Sequence, residues 1–352
     1  MEFKLPVSQD ILTEVAKLDR FQGRWSVQQS IPVERLRRIE EAARIQSTAA
    51  SCRLAGIRVS DHEVAGMLRG DAPPPTEAKE VLGYARALGL DPAGAGALLS
   101  GDWLGALHAE MVGADPAKPS PWRTQPLHRE AFDAEGRATG QVFATLPPRF
   151  VAAKTEELAT WLELELRTRE QHPVLAVGAF SLCFLSISPF ESANGRMSRL
   201  LASLLLRRAG YSGIPFASLE ARMEEMRDDY YAAISRSQTG LWTEKVNLEP
   251  WLNFFLVVLG QHRERVETKM ALEQQVRDYP PLQRMILETV REHGSVDAGL
   301  LLEATGANRN TLKDNLRRLV ERGVLEKTGQ RRGTRYRIST GERSSVAGVA
   351  DH

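Results

Sequence analysis

The sequence predicts a mainly α-helical protein of more than one domain, with little sheet. Three observations carry that reading. Apolar residues recur at helical spacing through Val174–Leu185, then at Met197, Leu200, Leu201, Leu204, Leu205 and Leu206, and again at Trp251, Leu252, Phe255, Leu256 and Leu259. Strand-like runs are few and short: Gly140–Phe143, Gly323–Lys327 and Thr334–Ile338. A chain of 352 residues, 42% hydrophobic, is long enough for two or three domains with cores of their own. The longest apolar stretch, Val174–Ile187, is interrupted by Gly178, Ser181 and Ser186 and falls short of the roughly twenty residues a membrane span needs, so no membrane is expected. The start, Met-Glu-Phe-Lys-Leu-Pro, lacks the basic-then-apolar layout of a signal peptide. Cys52 and Cys183 are the only cysteines, in apolar or helical surroundings; two reduced structural thiols and a cytoplasmic location are expected.

In chain order, residues 1–93 read as an N-terminal helical region. Leu18–Trp25 is expected to pack on the core, a helix is expected over about 40–56, and Asp71-Ala72-Pro73-Pro74-Pro75 is a stiff break. Residues 94–246 form the central core, with a second break at Ala114–Pro121. Its centre reads as a buried helix, a loop, and a second helix that starts near Asn194 and Gly195. Free backbone N–H groups and the positive dipole end at such a start favour an anion, and Gly195 permits close approach. Arg196 and Arg199, three apart, share one helix face and suit phosphate oxygens. The same residues also suit a plainer role, Asn194 as a cap and the arginines as a solvated face.

The run 188–199, Ser-Pro-Phe-Glu-Ser-Ala-Asn-Gly-Arg-Met-Ser-Arg, resembles the Fic family signature, His-Pro-Phe-x-Asp/Glu-Gly-Asn-Gly-Arg-x-x-Arg. Phe190, Asn194, Gly195, Arg196 and Arg199 stand where the family has them; Ser188 replaces its histidine, Ser192 its acidic residue and Ala193 its first glycine. Flanking segments agree in order over roughly residues 10–260: Ala153–Leu158 with Trp161, His172–Leu175, and Arg227–Ile234 resemble the neighbouring helices. Trp122-Arg123-Thr124 with Gly140–Phe143 and Pro147-Pro148 resemble the β-hairpin flap, which lays a target segment alongside by strand pairing. The resemblance implies a helical Fic-fold core with a small flap, and a cradle for ATP or another nucleotide formed by Asn194, Gly195, Arg196 and Arg199. In active relatives the histidine deprotonates a target hydroxyl, which attacks the α-phosphate of ATP and leaves AMP on the target, while the acidic residue holds magnesium. Serine 188 has no pKa near neutrality, and a hydroxyl at 192 is a poorer ligand for a hard cation than a carboxylate. No catalytic residue and no metal are therefore expected, and none of the seven histidines lies within the motif.

The family's inhibitory helix carries a Ser-x-x-Ile-Glu-Gly pattern whose glutamate pairs with the signature's last arginine. Ala43–Ile57 resembles it, with Ala55 at the glutamate position. That implies an Arg199 left available for phosphate; the alternative is that Ala55 is simply a small residue in a packed helix.

Residues 247–276 read as a connecting helix, charged in its later half, and 277–340 as a separate unit. Helices are expected over Pro281–Glu292, Asp297–Thr305 and about Asn308–Glu321, then strands at Gly323–Lys327 and Thr334–Ile338, the order of a winged helix-turn-helix. From Thr305 to Ile338 there are ten Lys and Arg against three Asp and Glu, a net +7 in a chain of net +1. In this fold the third helix enters the major groove of double-stranded DNA, which nominates Asn308, Arg309, Asn310, Thr311, Lys313 and Arg317. Arg331, Arg332 and Arg335 on the wing suit phosphate or the minor groove. Protein contact is the competing use of such a face. Residues 341–352, small and polar, are expected to be disordered.

Three functions compete. The leading one is a catalytically degenerate Fic-like transcriptional regulator that reads DNA as a homodimer and senses a nucleotide or other phosphorylated ligand. The rivals are an AMP-transferring enzyme with an altered site, and an adaptor that binds protein without a nucleotide.

Overall fold

A computed structural model of the chain describes residues 5–27, 31–71, 78–91, 99–127, 129–133, 135–143, 145–238, 242, 246–277, 279–329 and 334–339. The chain divides into two compact units, Met1–Glu267 and Thr268–His352. The architecture is mainly helical, as the apolar spacing predicts.

The larger unit begins with α1 (Gln9–Val27), α2 (Val33–Arg53), α3 (Asp61–Arg69), α4 (Ala78–Leu88) and α5 (Gly101–Met111). A two-stranded antiparallel hairpin follows, β1 (Arg129–Phe132) with β2 (Ala138–Phe143). Then come α6 (Val151–Thr168), α7 (Pro173–Ile187), α8 (Asn194–Arg208), α9 (Leu219–Glu225), α10 (Arg227–Gln238) and α11 (Glu249–Arg277), which from Thr268 onward belongs to the smaller unit. Every residue of α7 is buried, and a helix apolar all round must be enclosed. Helices α6 and α8 pack along it. Gly178 lets α11 approach: a Cβ there would lie 2.9 Å from Leu252 and Phe255, and Trp251 Nε1 donates to the Gly178 carbonyl at 2.7 Å. His172 caps α7 by accepting from the Val174 N–H at 3.3 Å, with Pro173 at the first helical position, where a missing N–H costs nothing.

Two sequence expectations are corrected here. Ala55 does not lie within the helix predicted to about residue 56; α2 stops at Arg53 and Ala55 occupies the turn beyond. The cause is Gly56, whose left-handed φ of +82° turns the chain so that the Ile57 N–H returns to the Cys52 carbonyl at 3.0 Å. Trp122–Thr124 lies outside the hairpin strands, which begin at Arg129. The prolines at 73–75 and the tail 341–352 fall outside the described residues.

The smaller unit contains α12 (Pro281–His293), β3 (Val296–Asp297), α13 (Ala298–Thr305), α14 (Arg309–Glu321), β4 (Leu325–Thr328) and β5 (Arg335–Ile338). Its antiparallel sheet has the order β3-β5-β4. Ile286, Leu287, Val290, Leu301, Leu312, Leu316, Leu319 and Leu325 make its core. Asp297 and Asn308 cap α13 and α14 through side-chain oxygens, and Gly306 ends α13 in the left-handed region. The two-residue β3 is too short to leave a sequence pattern.

Candidate functional site

The loop between α7 and α8 is held from within. Asn194, 3% exposed, accepts from the Phe190 N–H at 2.9 Å through Oδ1 and donates to the Phe190 carbonyl at 2.7 Å through Nδ2, closing the loop on itself. The loop enters and leaves through left-handed residues, Ser188 at φ 48° and Ala193 at φ 57°, a region that non-glycine residues enter at a cost. Ser188 is fully buried, and its Oγ donates back to the Leu185 carbonyl at 2.6 Å. It points into its own helix end and offers no basic atom to an incoming hydroxyl. Ser192 is exposed, beside an exposed Glu191 that accepts from the Thr124 N–H at 3.3 Å.

Three further residues hold this loop, and sequence reasoning nominated none of them. Arg123, 2% exposed, donates to the carbonyls of Ser188 (2.6 Å), Gln125 (2.8 Å), Ile187 (3.1 Å) and Leu146, so one guanidinium satisfies the backbone on both sides of the turn. His108 stacks on Phe190 with ring centroids 4.0 Å apart. Its Nε2 meets the Ser192 carbonyl at 3.1 Å and its Nδ1 the Ser120 hydroxyl at 2.8 Å. A carbonyl only accepts, so Nε2 carries the proton; burial then holds the ring neutral, with a pKa pushed down to about 4. His108 is thus a positioning group with its donor committed, not a stand-in for the missing histidine. Glu80 of α4 is the third, and it ion-pairs with Arg196.

The arginines are enclosed. Arg196 is 4% exposed, and its Nε and Nη1 are buried without a hydrogen-bond partner. Arg199, 5% exposed, donates to the Ser51 hydroxyl (3.0 Å), the Ser51 carbonyl (2.8 Å) and the Tyr230 hydroxyl (3.2 Å). Cys52 lies near both; burial raises its thiol pKa while the two cations pull it down. Among the described residues Arg199 pairs with no carboxylate, yet it is not left available: Ser51 occupies two of its nitrogens. The carboxylate closing the cradle comes instead from α4, onto the other arginine. A phosphate would meet Arg196 only in exchange for Glu80, and the Cys52 thiol also hydrogen-bonds to this guanidinium. Gly195 leaves the helix start open on that side: a Cβ would meet only Arg199 Nη1, at 3.4 Å. Among the described residues no three His, Cys, Asp or Glu side chains cluster as an all-protein metal site would need.

In the smaller unit, α14 buries Leu312, Leu316 and Leu319 and turns Arg309, Lys313 and Arg317 outward at intervals of one turn. Arg317 is shared with Asp314 at 3.8 Å and Glu321 at 3.7 Å, whereas Arg309 and Lys313 have no ion pair among the described residues. Asn310 and Thr311 are exposed beside them. The Asn308 carboxamide oxygen accepts from the Asn310 N–H at 2.9 Å, so it is spent on the cap. Arg335 is exposed on β5, its Cα paired with Thr328 and Asp297. Arg331 and Arg332 lie outside the described residues.

Residues 98–206, which contain α7, the loop and all of α8 but its last two residues, match the sequence model of the Fic/DOC family, so the chain carries a Fic/DOC domain there. Among solved structures, it is similar to a Fic family protein from Desulfovibrio desulfuricans, at 21% identity over 97% of this chain and 99% of that one, TM-score 0.64. It is also similar to a Fic domain containing signaling protein from Bacteroides thetaiotaomicron, at 18% identity over 72% and 96% of the two chains, TM-score 0.58. Fic-1 from C. elegans matches at 18% identity over 74% of this chain and 73% of its own, TM-score 0.58. These likenesses establish the fold. No helix among the described residues is long and apolar enough to cross a membrane.

Proposed function

We propose that this chain is a DNA-binding transcriptional regulator, in which a Fic-fold domain without the family's catalytic base is joined to a C-terminal winged helix-turn-helix. The observation that carries the reading is the outward stripe Arg309–Lys313–Arg317 on α14, on the helix that follows a capped helix-turn-helix and precedes a two-stranded wing. Arg309 and Lys313, exposed with no ion pair among the described residues, suit a polyanion, and DNA presents one negative charge about every 1.7 Å of its axis. A two-fold operator calls for two reading heads, so the regulator acts as a homodimer. The enclosed arginine cradle would serve as a sensor: ATP or another phosphorylated ligand exchanges with Glu80 at Arg196.

The regulator reading is favoured over AMP transfer by Ser188, whose hydroxyl is buried and already donates to Leu185. Fluorescence anisotropy of the full chain against DNA from the region upstream of its own coding sequence, and against shuffled DNA, tests the proposal. Selective binding that weakens linearly with the logarithm of salt concentration is expected. Equal affinity for both DNAs rejects the regulator, and label from ATP transferred to proteins in a cell lysate, lost in Arg196→Ala, restores the enzyme.

A further inference from the structure

The larger unit holds a half-open cleft of about 410 Å³ that the α7–α8 loop does not line. Arg44 and Ser47 of α2 line one side; Arg207 near the end of α8, Ile214, Leu219 and Glu220 line the other. The volume is that of a small-molecule site.

Its lining divides into three parts. At the mouth, the Arg44 Nε is enclosed with no hydrogen-bond partner, an unusual condition for a buried donor on a cation. Arg207 beside it is fixed by donating to the carbonyls of Leu88 (3.2 Å) and Leu90 (2.9 Å), and its charge faces Glu40, which also lines the space, and Asp91. The walls, Ile214 and Leu219, are apolar and buried. On the floor, Glu220 is 1% exposed and accepts from the Tyr84 hydroxyl at 3.0 Å. Tyr84 lies on α4, the helix that also carries Glu80, so the floor is tied to the element that closes Arg196.

We propose that this space is a second ligand site for a compact organic anion with an apolar or aromatic body. The anionic group takes the unpaired Arg44 N–H, and the body lies against Ile214 and Leu219. The site is separate from the phosphate cradle and stands whether or not that cradle binds a nucleotide.

The probe is 8-anilinonaphthalene-1-sulfonate, which joins a sulfonate, an aromatic body and one N–H donor. Titrated into the full chain by fluorescence, it is expected to show one saturable site. Affinity should fall about tenfold or more in Arg44→Gln and recover in part in Arg44→Lys. Hydrogen exchange at saturation should show protection at residues 40–48 and 214–220. Thermal melts of each variant establish that it is folded. Absence of saturable binding, many weak sites, indifference to Arg44→Gln, or protection confined to residues 188–199 each overturns the proposal.

Discussion

Two regions of this molecule use arginine in opposite ways. Around the α7–α8 loop, Arg123, Arg196 and Arg199 are at most 5% exposed, and each is tied to the protein: Arg123 to four carbonyls, Arg196 to Glu80, Arg199 to Ser51 and Tyr230. On α14, Arg309 and Lys313 are exposed with no ion pair among the described residues. A buried cation must be hydrogen-bonded or it costs several kcal/mol, so the first set is bound into the fold before any ligand arrives. An exposed, unpaired cation costs nothing to hold and gives up only water and counterions when a polyanion binds. Sequence motifs draw attention to the first set, but burial makes the second the better-prepared binding surface.

The largest expected effect tests the structural half of that contrast. Arg123→Met removes the guanidinium donors from four carbonyls, three of them in buried hydrogen bonds, and should destabilise the larger unit by about 3–5 kcal/mol in urea unfolding. A loss under about 1 kcal/mol would mean that the loop is held without this guanidinium. The binding half is tested by Arg309→Ala with Lys313→Ala. Each side chain that meets the duplex is worth about 1–3 kcal/mol, so DNA affinity should fall at least about fivefold per residue, and the salt slope should flatten by about 1 for each phosphate no longer neutralised. Arg196→Ala should leave both quantities unchanged. If it weakens DNA binding as much as the α14 variants do, the division of labour fails.

A smaller effect sharpens the role of the closing carboxylate. Glu80→Gln leaves Arg196 without its counter-charge, and ATP affinity measured by calorimetry should rise about tenfold, the equivalent of about 1.4 kcal/mol. His108 gives a pH signature for the same loop. Its pKa is held down to about 4, from 6.5 in the open, by burial first of all. The unfolded chain therefore takes up a proton that the folded chain refuses between those values. This contribution to stability is complete above about pH 6.5 and is lost as pH falls toward 4, by about 1–3 kcal/mol. His108→Phe keeps a ring against Phe190 and should flatten that part of the stability profile.

What is legible in the sequence follows physical range. Apolar spacing makes α7, α8 and the start of α11 visible, because one helix's burial is written within a few turns of its own sequence. The Asp297 and Asn308 caps and Gly306 mark the ends of α13 and α14 for the same reason. Glu80 with Arg196, 116 residues apart, and His108 with Ser192, 84 apart, leave no periodic trace, so the closed state of the cradle is not legible there. The alanine at 55 is legible as a missing carboxylate; that Gly56 ends the helix before it is not.

The smallest effect concerns the loop's own backbone. The family signature has glycine where this chain has Ala193, and Ala193 sits at φ 57°, ψ 12°. An alanine there brings its Cβ toward the backbone oxygen, a cost glycine escapes, although glycine gives back part of the gain through its greater freedom when unfolded. The steric term is about 1–2 kcal/mol and the entropic term about 0.5–1 kcal/mol, so Ala193→Gly should stabilise the chain by about 0.5–1 kcal/mol in urea unfolding. A neutral or destabilising result would show that the Ala193 methyl packs well enough to offset the strain, for it lies against the main core. In that case the loop has been rebuilt around alanine, and the departure from the signature is part of how this chain folds.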